Sequence, residues 1–195
     1  MTSSPNPTEA YRSSSGVHSL FTQVARTYEL ANHVLTFGLD IVWRNRAARI
    51  ASEGGGERWL DVCTGTGDMA RALRRRAPAE TLVAGLDFCL PMLQKAVGKL
   101  GTGSSTPRLG LGDACQLPVR ANSLQGVSVG WGIRNVPDID RAHQDLFRVL
   151  KPGGRFVSLD MARPRNAVMR KISEFVFNTL VPWMGSLFGK TKAYT

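Results

Sequence analysis

The segment Leu60-Asp-Val-Cys-Thr-Gly-Thr-Gly-Asp-Met-Ala70 places two glycines, Gly65 and Gly67, between an apolar run and the start of a helical pattern. Glycine in such a strand–turn–helix segment lets the backbone approach a ligand closely, where a Cβ would clash. Asp87 ends the next apolar run, about 20 residues further on, and is placed to accept hydrogen bonds from both hydroxyls of a ribose. These residues predict a site for an adenosine-containing cofactor, either a dinucleotide or another compound.

Two carboxylates flank the glycine turn, because Asp61 ends the strand and Asp68 opens the helix. A diphosphate favours a helix N-terminus without acidic neighbours, so these carboxylates would repel a dinucleotide. They would attract a ligand that carries an ammonium and a sulfonium group, as S-adenosylmethionine (SAM) does. The charges therefore favour SAM over a dinucleotide, and a turn without a ligand is the third interpretation of the same residues.

A further acidic position lies in Gly112-Asp-Ala-Cys-Gln-Leu-Pro118, after a weak apolar run. There Asp113 could accept a hydrogen bond from the adenine amino group while the backbone amide of Ala114 donates to a ring nitrogen. The alternative for Asp113 is that it caps a local turn. Ligands bind outside the carboxyl ends of strands in open parallel sheets, and all three acidic positions fall at such ends, which favours binding.

The elements that would position these residues alternate between strands and helices. Apolar runs predict strands at residues 58–63, 81–87, near 109, 124–130 and 155–161, and helical spacing predicts helices at residues 40–51, 68–77, 91–100, 138–150 and 167–180. Alternation of this kind predicts an α/β fold, a Rossmann-like and mostly parallel sheet with helices on both faces.

A length of 195 residues, of which 43% are apolar, predicts one domain with a core of its own. Residues 1–16 are rich in Ser and Pro and predict a disordered leader. We expect the domain to span residues 17–195. Within it, residues 17–52 would form an N-terminal helical extension, residues 58–161 the cofactor-binding core, and residues 162–195 a helical lid or membrane-facing segment.

The formal net charge is +10, which points to an anionic partner, although a GC-rich coding sequence would give the same bias. In the last segment, basic residues precede apolar ones: Arg163, Arg165, Arg170 and Lys171, then Phe175, Val176, Leu180 and Trp183. Such a segment could rest on anionic lipid, or pack as a lid or dimer helix. Nucleic acid is the less favoured partner, because no aromatic residues are interleaved with the basic ones. The longest apolar stretch, residues 175–188, is too interrupted for a spanning helix, so we expect a cytoplasmic protein that at most lies on a membrane.

Three cysteines, Cys63, Cys89 and Cys115, show no CxxC spacing and no neighbouring histidine. This spacing predicts neither a zinc site nor a disulfide framework, and we expect no metal. Each cysteine sits in or beside an apolar run, which predicts reduced, buried thiols.

Two more stretches, Gly130-Trp-Gly-Ile-Arg-Asn-Val-Pro-Asp-Ile-Asp140 and Arg148-Val-Leu-Lys-Pro-Gly-Gly154, make the sequence similar to a known family. Together with the glycine turn and the 112–118 stretch, they resemble the ubiquinone/menaquinone biosynthesis C-methyltransferases, which are class I SAM-dependent methyltransferases. The segment Phe21-Thr-Gln-Val-Ala-Arg-Thr-Tyr-Glu-Leu-Ala-Asn32 agrees with this, and the resemblance covers about residues 18–194.

The resemblance implies SAM contacts at Thr66, at Asp87 on the ribose, and at Asp113 with Ala114 around adenine. Gly130 stands where the family usually has a contributing Ser, so any contact there would come from the backbone.

The substrate implied by the resemblance is an isoprenoid quinol, of the menaquinone or the ubiquinone pathway. Arg134 would stabilise the phenolate or orient a water that takes the proton, because a guanidinium is not itself a base at neutral pH. Asn135 would hold the second quinol oxygen, and Tyr28 would close the pocket over the ring. The structural alternatives are a surface or ion-pair role for Arg134, a turn role for Asn135 and a place in the core for Tyr28. Two alternatives remain open: an inactive relative that still binds SAM, and a methyltransferase of another small molecule or of RNA.

The chain also departs from the family at its end. It stops at Thr195, where the family continues into the final antiparallel strands of its sheet. We therefore expect those strands to be missing and the strand at residues 155–161 to form an exposed apolar edge.

Overall fold

The computed structural model describes residues 36, 38–53, 55–161 and 165–175. The chain divides into two compact units, Met1–Asp160 and Met161–Thr195. The helices of the first unit are α1 (Leu39–Ser52), α2 (Asp68–Arg74), α3 (Leu90–Leu100) and α4 (Ile139–Val149), with a 3₁₀ turn at Ile133–Asn135. Its strands are β1 (Arg58–Val62), β2 (Leu82–Asp87), β3 (Arg108–Leu111), β4 (Leu124–Gly130) and β5 (Leu150–Leu159), and the second unit contains α5 (Ala167–Phe175).

The five strands of the described residues form one parallel sheet in the order β3-β2-β1-β4-β5. Helices cover both faces because side chains alternate along the central strands. On one face Leu60 and Val127 pack in a core cluster with Leu146 of α4. On the other face Trp59 packs in a second cluster with α1 and α2. The predicted Rossmann-like α/β fold is confirmed.

The predicted boundary between α4 and β5 is wrong by several residues. The helix ends at Val149 and the strand runs over Leu150–Leu159, not residues 155–161. Leu150 already pairs with Leu124, but the next pair in register joins Gly126 to Arg155, so the Pro and Gly residues between them form a bulge. From sequence, Pro and Gly predict a turn between a helix and a strand. In the structure these residues instead form a bulge within β5.

Helix α2 is shorter than predicted, because it ends at Arg74 and not at residue 77. The Arg74 guanidinium donates hydrogen bonds to the carbonyl oxygens of Ala77 (2.8 Å), Pro78 and Thr81 (2.5 Å), and so fixes the chain that leaves the helix. This arginine closes the end of the helix through its side chain, which helical spacing alone does not predict.

The cysteines are free thiols, but only Cys89 is buried as a whole residue. Cys115 is partly exposed, so the expectation of a buried thiol is wrong there; Cys63 is partly exposed as a residue, but its thiol is buried, as expected. Both lie at a cavity beyond the strand ends, where apolar sequence does not imply full burial.

Several expectations lie outside the described residues: the 1–16 leader, the helical segment before residue 36, Tyr28, and the apolar residues after Phe175. The domain boundaries stay predictions. Within the described range β5 pairs only with β4 and forms an edge of the sheet, and the absence of antiparallel strands after it stays a prediction. No described helix is both long enough and apolar enough to cross a bilayer.

Candidate active site

A cavity of about 370 Å³ opens at the carboxyl ends of β1, β2 and β4. Most of the site residues predicted from sequence line it: Asp61, Gly65, Thr66, Asp87, Asp113, Ala114, Gly130 and Asn135. Gly67 and Arg134 do not line it. The volume falls within the range of about 300–1,000 Å³ that is typical of small-molecule sites.

The glycine turn explains why the two glycines have different roles. Gly65 adopts a φ of 54° and its amide donates to the Asp87 carboxylate at 2.7 Å, so it forms part of the cavity wall. Gly67 adopts a φ of 82°, at which a side chain is strained. A Cβ there would also lie 2.8 Å from Leu100 Cδ1. Gly67 therefore allows α2 to begin and to pack on α3. Because Gly67 does not line the cavity, its predicted contact with the cofactor stays a prediction.

Asp61 is fully buried at the end of β1. Its two oxygens accept hydrogen bonds from Thr64 Oγ1 (2.6 Å) and from Ser128 Oγ on the neighbouring strand β4 (2.7 Å). Burial raises the pKa of the Asp61 carboxyl to about 7, and the two hydroxyl donors oppose this rise. The group is thus close to its protonation midpoint at neutral pH.

Asp87 is also buried, at the end of β2. Its oxygens accept the backbone N–H groups of Gly65 (2.7 Å) and Cys89 (2.9 Å). Burial raises the pKa of Asp87, and these amide donors act against the rise. Each carboxylate oxygen has two lone pairs, so the amides leave Asp87 with acceptor capacity toward the cavity.

Asp68 is less available than the sequence predicts, because Lys99 Nζ lies 2.8 Å from its carboxylate. The same ammonium lies 3.3 Å from the Thr66 hydroxyl, which is itself buried. Lys99 therefore offsets the charge of Asp68, and most of the negative charge that faces the cavity comes from the other carboxylates.

Asp113 satisfies both of the interpretations made from sequence. Its Oδ1 accepts the backbone N–H of Cys115 at 2.8 Å, which caps a local turn. It also lines the cavity and is exposed, while the neighbouring Ala114 is buried in the core cluster of α4. The turn thus holds the carboxylate at the rim of the site.

The far wall of the cavity contains residues that the sequence analysis missed. Cys63 and Trp131 directly follow the neighbouring strands β1 and β4, and their φ values of 55° and 58° lie in the left-handed region that non-glycine residues rarely adopt. Between them, a Cβ at Gly132 would lie 2.2 Å from Cys63 Cβ. Gly132 therefore lets the ends of β1 and β4 approach each other. The position of Gly132 just after an apolar run is the feature of the sequence that could have predicted this close approach.

Arg44 of α1 is the second residue that sequence reasoning missed. It is buried, forms an ion pair with Asp40 one helical turn earlier, and places its guanidinium carbon 4.6 Å from the centre of the Trp131 ring. It also lines the cavity. The spacing of an acid and a base four residues apart was the signal for the pair, although not for its burial.

Arg134 and Asn135 are neighbours in the 3₁₀ turn but face different surroundings. Asn135 lines the cavity, and its Nδ2 donates to the Trp131 carbonyl oxygen at 3.4 Å. The Arg134 side chain is 48% exposed and pairs with Asp160 at 3.0 Å. The structure thus brings Asn135 to the site and leaves Arg134 outside the cavity wall.

The charge and shape of the cavity fit SAM. Burial raises the pKa of the Cys63 thiol, and the carboxylates of Asp87, Asp61 and Asp113 raise it further, so the interior favours positive charge. At Gly130 a Cβ would lie 3.9 Å from its nearest neighbour, Met69 Cβ, so there is room for a Cβ there. No group of three potential metal ligands occurs in the part of the chain that the structure describes.

The parallel sheet, the glycine turn and the acid-lined cavity define a SAM-dependent methyltransferase. A solved structure from Methanococcus maripaludis, assigned as a SAM-dependent methyltransferase, shares this fold with a TM-score of 0.58 at 17% identity, over 95% of this chain and 78% of that one.

The chain belongs to the ubiE/COQ5 methyltransferase family, whose model matches residues 8–195. It is 39% identical over 181 residues to the demethylmenaquinone methyltransferase of Desulfitobacterium hafniense, covering 91% of this chain and 72% of that relative. It is 34% identical over 180 residues to the ubiquinone/menaquinone biosynthesis C-methyltransferase UbiE of Geotalea daltonii, covering 91% and 77%. The family resemblance inferred from the sequence motifs is confirmed.

Proposed function

We propose that this protein methylates a ring carbon of a polyprenyl quinol, converting demethylmenaquinol to menaquinol or acting on the equivalent ubiquinone precursor. The observation that carries this proposal is that one cavity joins the acidic residues Asp61, Asp87 and Asp113 to Asn135 of the Gly-Ile-Arg-Asn motif. The names of the relatives support the quinol as the acceptor.

In this proposal the sheet order sets the orientation of the cofactor. Asp113 and Ala114 hold the adenine beyond β3, and Asp87 accepts hydrogen bonds from the ribose hydroxyls beyond β2. Asp61, Gly65 and Thr66 then surround the amino-acid end beyond β1, with Gly130 beside it at the end of β4. When bound, SAM supplies a methyl group made electrophilic by the adjacent sulfonium.

The acceptor ring lies on the Asn135 side of the cavity in this proposal. A ring carbon becomes nucleophilic as the adjacent phenol loses its proton, so the protein must stabilise negative charge on the phenol oxygen. Arg134 supplies that charge or orients a water that takes the proton, and to do so it must exchange Asp160 for the phenolate. Asn135 holds the second oxygen, and Tyr28 covers the ring.

We also propose that the protein works in the cytoplasm at the inner face of the membrane, because the isoprenoid tail of the substrate resides in the bilayer. Arg165, Arg170 and Lys171 on and before α5 are exposed and basic, which supports contact with anionic lipid. Homodimer formation through the same segment is the alternative use of this helix.

The test is a methylation assay with the full-length protein, methyl-labelled SAM and one of two short-tailed acceptors: demethylmenaquinol, or a methoxybenzoquinol whose ring still lacks the C-methyl group. We expect label in the quinone ring with wild type, at least a hundredfold loss with Arg134→Gln, and no loss with Arg76→Gln, an exposed arginine remote from the cavity. The expected loss with Arg134→Gln follows from the removal of one preorganised electrostatic contact, which lowers the rate by about 10²–10³.

A second candidate function is binding of SAM without methyl transfer. The ion pair between Arg134 and Asp160 favours it, because it occupies the guanidinium that the proposed reaction needs. SAM binding without methylation of any quinol, in both wild type and Asp160→Asn, would select that candidate. Turnover that rises in Asp160→Asn would instead show that Arg134 is catalytic and restrained by its partner.

A further inference from the structure

Arg44 is a buried cation that faces a cavity. Its side chain is 9% exposed, although it carries a charge that is costly to remove from water. One terminal nitrogen donates to the Asp40 carboxylate, which is itself fully buried and also accepts a hydrogen bond from Thr36 Oγ1 at 2.9 Å. The Trp131 ring covers one face of the guanidinium.

The guanidinium retains donors that its surroundings do not use. An arginine offers five N–H groups in a planar fork, and the bond to Asp40 uses one of them. No other described residue accepts a hydrogen bond from Arg44. Because the side chain lines the cavity, the unused donors have an anionic or polar ligand as their available partner.

The position of Arg44 identifies which part of the ligand it meets. The described cavity wall contains two cations, Arg44 and Arg141. Arg141 lies beside Cys115 and Asp138, at the adenine end of the proposed orientation. Arg44 lies over Trp131 at the end of β4, on the opposite side of β1 from β2 and β3. This is the amino-acid end, where SAM carries an ammonium and a carboxylate.

We propose that Arg44 binds the carboxylate of the amino-acid end of SAM, and that Asp40 and Trp131 hold the guanidinium in place for that contact. The inference rests on the proposed use of the cavity by SAM. It assigns the two charges at the amino-acid end of the ligand to two different walls: the ammonium to Asp61 at the end of β1, and the carboxylate to α1, which packs on the sheet.

Binding measurements with two ligands test this contact. Decarboxylated SAM lacks only the carboxylate, so the ratio of its dissociation constant to that of SAM reports on the carboxylate subsite. We expect wild type to prefer SAM, and Arg44→Gln to lose about 10- to 100-fold in SAM affinity while its affinity for decarboxylated SAM changes little, since a hydrogen bond to a charged group is lost.

Two further variants control for folding and for charge. Arg44→Gln leaves Asp40 buried without its cation, so the double variant Asp40→Asn/Arg44→Gln removes both charges and should show the same loss of preference. Arg46→Gln removes one positive charge from the exposed side of the same helix and should keep the wild-type preference. Each ratio is measured within one protein, so a change in overall stability does not alter it.

The possible results separate this inference from the proposed function. Preference for SAM that persists in both Arg44 variants overturns the carboxylate contact and leaves the proposed function intact. Failure of wild type to bind SAM overturns both. An equal loss for the two ligands in the double variant shows a structural role for Arg44 and also overturns the contact.

Discussion

Asp61 combines full burial with a carboxyl that titrates near neutral pH. The hydroxyls of Thr64 and Ser128 support its charged form, yet burial raises its pKa to about 7. A neutral carboxylic acid attracts an ammonium group far less than a carboxylate does. The affinity of the site for SAM should therefore depend on pH within the physiological range.

Below pH 7 Asp61 is mostly protonated, so binding of SAM must displace that proton. We therefore expect SAM affinity to fall by up to about tenfold per pH unit below pH 7 and to level off above pH 7. Above about pH 8 the affinity should fall again as the amino group of the ligand loses its own proton. Calorimetric titration in buffers of different ionisation enthalpy measures both the affinity and the proton released.

Asp61→Asn provides the control for this pH dependence. It should bind SAM weakly at every pH and lack the acid limb. A buried carboxylate with a raised pKa makes the folded state less stable as pH rises from about 4 to 7, so the variant should also melt no lower than wild type at pH 8. An acid limb that remains in Asp61→Asn would assign the titration to another group.

The sequence predicts the acidic site residues better than the basic ones, for a physical reason. Asp61, Asp87 and Asp113 end apolar runs, and the geometry of a parallel sheet brings strand ends together. Arg44 lies on a helix whose basic residues are mostly solvated, so only the fold reveals its burial. Arg134 stands next to Asn135, and a one-residue step in a 3₁₀ turn directs it elsewhere, which spacing does not encode.

At the scale of elements, the site depends on how closely β1 and β4 end beside each other. Gly132 has an ordinary backbone conformation (φ −90°), so alanine would be allowed there except for the 2.2 Å approach to Cys63 Cβ. The constraint is therefore packing between two strand ends and not local backbone preference.

Gly132→Ala should lower the free energy of unfolding by about 1–3 kcal/mol, as overpacking does, and weaken SAM binding because the wall formed by Trp131 shifts. Adding Cys63→Gly removes the opposing Cβ and relieves the φ of 55° at that residue, so the double variant should recover most of the stability. Chemical denaturation of the three variants beside wild type measures this.

Gly98→Ala is the matched control, because a Cβ at this position in α3 meets open space. It should leave SAM binding unchanged and raise stability by about 0.5–1 kcal/mol, since alanine favours helix over glycine. Equal stability losses in Gly132→Ala with and without Cys63→Gly would contradict the packing argument.

Element types are predictable from this sequence, whereas several of their ends are not. The runs that form β1, β2 and β4 are apolar because helices cover both faces of the sheet there, and such runs predict strands clearly. The start of β5 was missed because Pro152 and Gly153 sit inside a bulge, and the end of α2 because a side chain at Arg74 closes it. Both are long-range or side-chain effects.

At the scale of the molecule, one small cavity connects distant parts of the chain. Its lining residues, from Arg44 to Arg141, come from all four helices of the first unit and from the ends of four strands or the turns after them. A ligand that bridges these elements binds the folded state alone, so it stabilises the whole first unit by mass action.

We expect SAM at a hundred times its dissociation constant to stabilise the protein by about 2.7 kcal/mol. For a chain of this size that raises the melting temperature by about 5–10 °C. Asp87→Ala, which removes the proposed ribose contact, should still melt cooperatively but show little shift with SAM. A cooperative melt of wild type that SAM does not move would contradict the assignment of the cavity.

The strand order also determines when the site can exist during synthesis. Asp61 emerges early and its strand pairs with β2, which follows closely, but its partner Ser128 lies 67 residues further along the chain. Pairings of such sequence separation form slowly. A nascent chain that has released β1 to β3 still lacks β4 and with it Ser128 and Trp131. The cofactor site is therefore completed only after β4 has been synthesised, and until then the apolar edge of β1 that pairs with β4 is open to association with other chains.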